Sequence, residues 1–142
     1  MVESLSFAAQ PEQEKAETPA LGLYLHVPFC ATTCEYCAFF QVRPEGDDLA
    51  RFLRDIDSEL ALVPGPLPVE TVFWGGGTPG LLPARHLGEL CALVRGRLTV
   101  APTEWSVEMA PGTVTRDRLA ALRDGGVTRI SLGVQSLQPE LL

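Results

Sequence analysis

Leu21-Gly-Leu-Tyr-Leu-His-Val27-Pro-Phe-Cys30-Ala-Thr-Thr-Cys34-Glu-Tyr-Cys37 is an apolar strand, Leu21–Val27, that runs directly into a cysteine-rich loop. Within it Leu23, Leu25 and Val27 alternate with Tyr24 and His26, so one side is aliphatic and the other polar or aromatic. The alternation returns twice downstream. Trp105, Val107 and Met109 interleave with Ser106 and Glu108, and Ile130, Leu132 and Val134 interleave with Ser131 and Gln135. Strands of a doubly wound parallel sheet are buried on both faces and read as near-continuous apolar runs. A parallel sheet that curls, with helices outside and a polar ligand inside, accounts better for a polar second side. The predicted fold class is therefore α/β, a partial parallel (β/α) barrel.

The intervening segments supply the helices. In Asp48–Val63, Leu49, Phe52, Leu53, Ile56, Leu60 and Val63 follow the 3.6-residue period, with Asp47 or Asp48 as N-cap. Thr71–Trp74 is a short strand feeding Gly75-Gly76-Gly77-Thr78-Pro79. Pro83–Leu98 is a second helix, with Leu87, Leu90, Cys91, Val94 and Leu98 along one face. Glu104–Met109 is the third strand, Thr115–Asp124 a third helix stopped by Gly125-Gly126, and Arg129–Gln135 the fourth strand. An eight-unit barrel takes roughly 250 residues, about 30 per unit. Residues 21–142 are thus expected to supply about four units, the N-terminal portion of a longer core domain. Residues 1–20 carry Glu3, Glu12, Glu14 and Glu17 against Lys15 and show no periodicity, so they are expected to be a disordered acidic leader.

Composition narrows the function classes. The chain has 142 residues, 46% hydrophobic and 20% charged, with a net charge of -7. Such acidity argues against a non-specific nucleic-acid binder. No apolar run approaches the roughly 20 residues of a membrane span. The start lacks a basic region followed by an apolar core, so a cytoplasmic location is expected. In that reducing setting the spacing of Cys30, Cys34 and Cys37 points to metal rather than to disulfides.

Cys30-Ala-Thr-Thr-Cys34-Glu-Tyr-Cys37 is C-x3-C-x2-C in a loop after a strand. Three thiolates can hold three irons of a cubane cluster and leave the fourth iron open. A structural zinc site wants four ligands. Cys91 falls on an apolar helical face and reads as a small buried hydrophobe. His26 lies on the strand before the first cysteine, where it is either a satisfied core residue or a neighbour of the metal. From the residues alone, zinc and three unmodified thiols stay open. Glu108 and Gln135 end strands on the polar side, where parallel sheets bind ligands. A structural pairing of Glu108 with Arg129 is the plain counter-reading.

The C-x3-C-x2-C loop resembles the cluster motif of the radical S-adenosylmethionine (radical SAM) enzymes. Tyr24-Leu-His26-Val-Pro28-Phe29-Cys30, Gly75-Gly-Gly-Thr-Pro79 and Ile130-Ser-Leu-Gly-Val-Gln-Ser136 are similar to one branch of that superfamily. That branch holds the oxygen-independent coproporphyrinogen III oxidases and the heme chaperones of the HemW type. The resemblance implies a 4Fe-4S cluster on Cys30, Cys34 and Cys37, whose open iron chelates SAM. It further implies SAM contacts at Tyr24, Tyr36, Gly75, Gly76, Gly77, Thr78, Glu108 and Gln135, with the glycine segment meeting the SAM amino group. Heme or another tetrapyrrole is the implied partner, with an electron donor such as a flavodoxin or ferredoxin and a respiratory heme-acceptor protein. The oxidases carry a further cysteine two residues after the third, where this chain has Phe39. The chaperones read Cys-Asp-Phe there, and this chain has Ala38 in place of the Asp. With its short leader, the chain resembles the chaperones more. The other readings are an oxidase that decarboxylates porphyrinogen propionates, a radical SAM methyltransferase or heme-degrading relative built on the same N-terminal half, and a non-catalytic metal-binding module.

Overall fold

The computed structural model describes residues 21–138 and residue 140. The acidic leader expected over residues 1–20 lies outside the described residues. The described elements are β1 (Leu21–Val27), α1 (Asp48–Leu62), β2 (Val69–Gly76), α2 (Ala84–Arg95), β3 (Glu104–Met109), α3 (Arg116–Gly125) and β4 (Arg129–Leu132). Short 3-10 turns at Pro79–Leu81 and Pro111–Thr113 follow β2 and β3.

All four strands are parallel and lie in the order β1-β2-β3-β4. A doubly wound sheet reverses its strand order at a switch point, which sends helices to both faces. Here the order never reverses. The helices pack as successive neighbours, α1 on α2 and α2 on α3, over one face, as in a (β/α) barrel arc. Under them lies the core: Leu25 and Val27 of β1, Val72 and Trp74 of β2, Trp105, Val107 and Met109 of β3, all buried. Leu53 and Leu60 of α1, Leu87, Leu90, Cys91 and Val94 of α2, and Leu122 of α3 close over them. Trp74 and Trp105 meet edge to face at its centre, ring centroids 5.4 Å apart at 75°.

The opposite, inner face is ordered in rows by register. Tyr24 stands beside Phe73, Phe73 beside Ser106, and Ser106 beside Arg129. The next row toward the C-terminal edge runs His26–Gly75 and Glu108–Ser131. Polar and aromatic side chains thus line the face that no described helix covers.

Several boundaries differ from the sequence reading. β2 begins two residues earlier than Thr71 and ends two residues later, since β1 pairs with it all the way to Gly76. Pro83 precedes α2 rather than opening it. Asp47 makes no side-chain cap bond, and the Asp48 carboxylate instead accepts from the Glu45 N–H at 2.9 Å. β4 stops at Leu132, so Gln135 does not lie on a strand; Gln135 has φ 65, left-handed backbone that no strand can hold. Thr115 does cap α3, accepting from the Arg118 N–H, and Gly126 ends that helix with φ 100.

Cys91 is fully buried against Gly125, where α2 crosses α3. Burial pushes its thiol from 9.0 to about 12. Because the folded value is the higher one, the stability this thiol contributes is whole below pH 9 and is lost as pH rises toward about 12. Wild-type stability should therefore fall more steeply over that interval than Cys91→Ala stability, as denaturant melts at stepped pH would measure. A Cβ at Gly125 would collide with the Cys91 sulfur. Gly125→Ala should cost about 1–3 kcal/mol, and adding Cys91→Ala should make the pair less destabilising than the sum of the two changes.

Candidate functional site

The site lies where β1 and β2 leave the sheet together. Their parallel pairing does not stop at the strand ends. The Gly77 N–H donates to the Val27 carbonyl at 2.8 Å and the Thr78 N–H to the Phe29 carbonyl at 2.7 Å. The glycine turn is thereby fastened to the first residues of the cysteine loop. Each glycine has its own steric reason. A Cβ at Gly75 would fall 2.9 Å from the Glu108 carboxylate, one at Gly76 2.5 Å from the His26 ring, and one at Gly77 2.6 Å from the Phe29 carbonyl oxygen. Gly76 also has φ 109, which disfavours any side chain. A bound ammonium needs acceptors, and here those are the Gly77 carbonyl and the Thr78 hydroxyl, since the Thr78 carbonyl already accepts from the Leu81 N–H at 2.8 Å.

The cysteine loop closes on itself at its base. The Cys30 N–H donates to the Val42 carbonyl at 3.0 Å, and the Val42 N–H to the Pro28 carbonyl at 2.7 Å. Within the loop the Cys37 N–H donates to the Cys34 carbonyl at 3.0 Å. Cys30 and Cys37 are half-buried and Cys34 is exposed, and all three are free thiols. The Cys30 sulfur lies 3.6 Å from the Thr78 hydroxyl oxygen, so cysteine loop and glycine turn touch through side chains as well. Among the described residues no three of His, Cys, Asp and Glu already converge on an ion. The donor set still fits a cluster: three soft sulfurs on one loop of eight residues, open to solvent at its tip.

Glu108 is half-buried and points at Gly75, and it has no hydrogen bond or ion pair among the described residues. The pairing with Arg129 does not form. Arg129 bonds Glu104 at 3.0 Å, four residues before Glu108 on β3. Glu104 also accepts from the buried Ser106 hydroxyl at 2.8 Å, and that bond, followed by Arg129, holds its carboxyl below the usual range. Tyr24 stacks on Phe73 with centroids 6.2 Å apart at 14°. Burial, and after it the Glu108 charge, push the Tyr24 phenol above its ordinary value. Tyr36 is largely exposed, and its phenol is raised chiefly by the neighbouring Cys34 side chain, with smaller effects of burial and Cys37.

Of the residues named from sequence, Tyr24, Gly75–Thr78, Glu108 and the three cysteines are brought to the same end of the sheet. Gln135 is exposed in the turn after β4. His26 proves to be hydrogen-bonded at both ring nitrogens, to the Tyr24 hydroxyl and to the Phe40 carbonyl. Phe73 was missed. Its signal was present: in β2 it alternates with the buried Val72 and Trp74, which sets it beside Tyr24 on the inner face.

Residues 24–142 match the family described as the Radical SAM superfamily. The chain is 41% identical over 130 residues to the heme chaperone HemW of Escherichia coli (strain K12), covering 87% of this chain and 34% of that protein. It is 42% identical over 133 residues to the oxygen-independent coproporphyrinogen III oxidase of Bradyrhizobium diazoefficiens, covering 87% of this chain and 30% of that protein. Among solved structures, coproporphyrinogen III oxidase (HemN) from Escherichia coli, described as a radical SAM enzyme, superposes with a TM-score of 0.76 at 30% identity, covering 85% of this chain and 29% of that one. The chain thus spans about a third of the length of the curated relatives it matches. Family match, shared identity and superposed fold agree with the strand order and the cysteine loop: the chain belongs to the radical SAM superfamily.

Proposed function

We propose that Cys30, Cys34 and Cys37 hold a 4Fe-4S cluster, with S-adenosylmethionine lying across Tyr24, Tyr36, Gly75, Gly76, Gly77, Thr78, Glu108 and Gln135. The supporting observation is the 3.6 Å contact between the Cys30 sulfur and the Thr78 hydroxyl, which seats the cysteine loop on the glycine turn. Bound there, the cluster and SAM together supply one-electron reductive chemistry. The chain's own residues do the rest. Glu108 is an acceptor-only group at the strand ends, suited to the ammonium or hydroxyl groups of a ligand. The Gly75–Gly77 segment carries no side chain, which lets Glu108, His26 and the Phe29 carbonyl close on its backbone and gathers these groups at one point. The stacked Tyr24 and Phe73 rings lie on the same inner face and offer an aromatic surface beside that carboxylate.

The function we favour is that of a cytoplasmic heme chaperone, which receives heme and delivers it to a respiratory acceptor protein, with a flavodoxin or ferredoxin as electron donor. Phe39 favours this reading, because it stands where the oxidases carry a further cysteine. Among the described residues no helix is long and apolar enough to cross a membrane. The second reading is an oxygen-independent coproporphyrinogen III oxidase, favoured by the 42% identity to the Bradyrhizobium diazoefficiens enzyme. Heme titration followed by absorbance, run beside an anaerobic assay for decarboxylation of coproporphyrinogen III, separates the two: the chaperone binds heme and leaves the porphyrinogen unchanged.

Cysteine substitutions test the cluster. After anaerobic reconstitution, Cys30→Ala, Cys34→Ala and Cys37→Ala should each abolish the iron–sulfur absorption, whereas Cys91→Ala should retain it. Loss in Cys91→Ala would overturn the ligand set, and iron–sulfur absorption without SAM binding would favour a non-catalytic metal-binding module. Titration calorimetry on cluster-loaded protein tests the carboxylate. Glu108→Ala should weaken SAM binding roughly tenfold, or about 1.4 kcal/mol, at unchanged iron content. Gln135→Ala should weaken it less, since Gln135 is exposed on the turn beyond β4.

A further inference from the structure

His26 gathers three segments into one ring. The Phe40 carbonyl can only accept, so the hydrogen between them is on Nε2, which donates across 2.9 Å. In the neutral ring that leaves Nδ1 bare, and the Tyr24 O–H donates to it at 3.2 Å. The ring also lies over Gly76, where a Cβ would fall 2.5 Å from its Cε1 and Nδ1 atoms. The imidazole therefore occupies the space that a side chain on the glycine turn would need.

The other fastenings of the cysteine loop are at its base, between Pro28, Cys30 and Val42 and where Phe29 and Cys30 meet Thr78. Among the described hydrogen bonds, none but that of His26 ties residues 31–41 to the sheet. Phe40 lies three residues beyond Cys37, so this tie acts on the far limb of the loop, the limb that presents the third cysteine. We infer that His26 is a positioning residue: through the Phe40 carbonyl it fixes the limb carrying Cys37 against the sheet, and through its cover over Gly76 it sets that limb's distance from the glycine turn. The inference rests on the cluster assignment above. His26 itself donates nothing to the metal, because both ring nitrogens are engaged elsewhere.

Three variants separate hydrogen bonding from space filling. His26→Gln reaches far enough for its amide to donate to the Phe40 carbonyl. His26→Asn is too short to do so. His26→Met fills the space over Gly76 without a donor, and it serves in place of Asn should Asn fail to fold. Two readouts apply. In iron-free protein, alkylation of Cys37 is followed by mass spectrometry relative to that of the exposed Cys34. In cluster-loaded protein, loss of iron to a chelator and the electron paramagnetic resonance spectrum of the reduced cluster are recorded. Asn or Met should speed both Cys37 alkylation and iron loss by about tenfold, the change expected from one hydrogen bond, and should shift the spectrum, while Gln stays close to wild type. Equal rates and spectra in wild type, Asn and Met would overturn the inference. Wild-type protein that holds no cluster would overturn the cluster reading instead, and the alkylation rates would still decide whether His26 ties the loop.

Discussion

The Gly77 N–H to Val27 and Thr78 N–H to Phe29 hydrogen bonds are the constraint on which the site depends. They extend the β1–β2 ladder past the last strand residues, into what would otherwise be two independent loops. One of those loops carries three thiols and the other carries backbone with no side chains. A parallel pair is ordinarily held by its strands, and its loops are free to diverge. Here divergence would break two backbone bonds and leave the Phe29 carbonyl without its partner. That geometry requires Gly77, since any Cβ there would strike the Phe29 carbonyl oxygen.

The rigidity of the two edges derives from the covered face of the sheet. Trp74 and Trp105 lie fully buried one strand apart, and each is followed within three residues by a group of the candidate site: Gly75 to Gly77 after Trp74, Glu108 after Trp105. Large side chains locked in the core fix the backbone on which the small and polar groups stand. The alternation of the strand then sends each neighbour to the opposite face. Core and site are thus two readings of the same strands, and a shift of register by one residue would exchange them.

This is why so much was legible in the sequence. Period-2 alternation at Leu23, Leu25 and Val27 against Tyr24 and His26 carries both the core and the inner face. The helical stripes through Leu53 and Leu60, and through Leu87, Cys91 and Val94, are equally periodic, and the structure buries them. Signals that are local in sequence and repeated in space survive folding. What was not legible depends on partners distant in sequence. Nothing around Arg129 indicates that it will pair with Glu104 rather than Glu108, because the choice is made by the β3–β4 register. The end of β4 was placed too late, since Val134 continues an apolar alternation although the backbone has already turned. The engagement of His26 required knowing that Phe40, fourteen residues away, returns to the sheet.

The two carboxylates on β3 show how one strand separates structure from chemistry. Glu104 and Glu108 lie on the same inner face, four residues apart. Glu104 is met at Oε1 by both the Ser106 hydroxyl and the Arg129 guanidinium, and the second of these bonds ties β4 to β3. Glu108, at the C-terminal end, meets a glycine on one side and Ser131 across the ladder, and no cation among the described residues answers it. A half-buried carboxylate without a partner costs folding free energy. Its position beside Gly75, where a side chain would displace it, accords with the role proposed for it above, as an acceptor for an ammonium or hydroxyl group. Within one strand, the pair near the N-terminal end links β4 to β3, and the carboxylate near the C-terminal end, unpaired among the described residues, is the one the proposed SAM contact draws on.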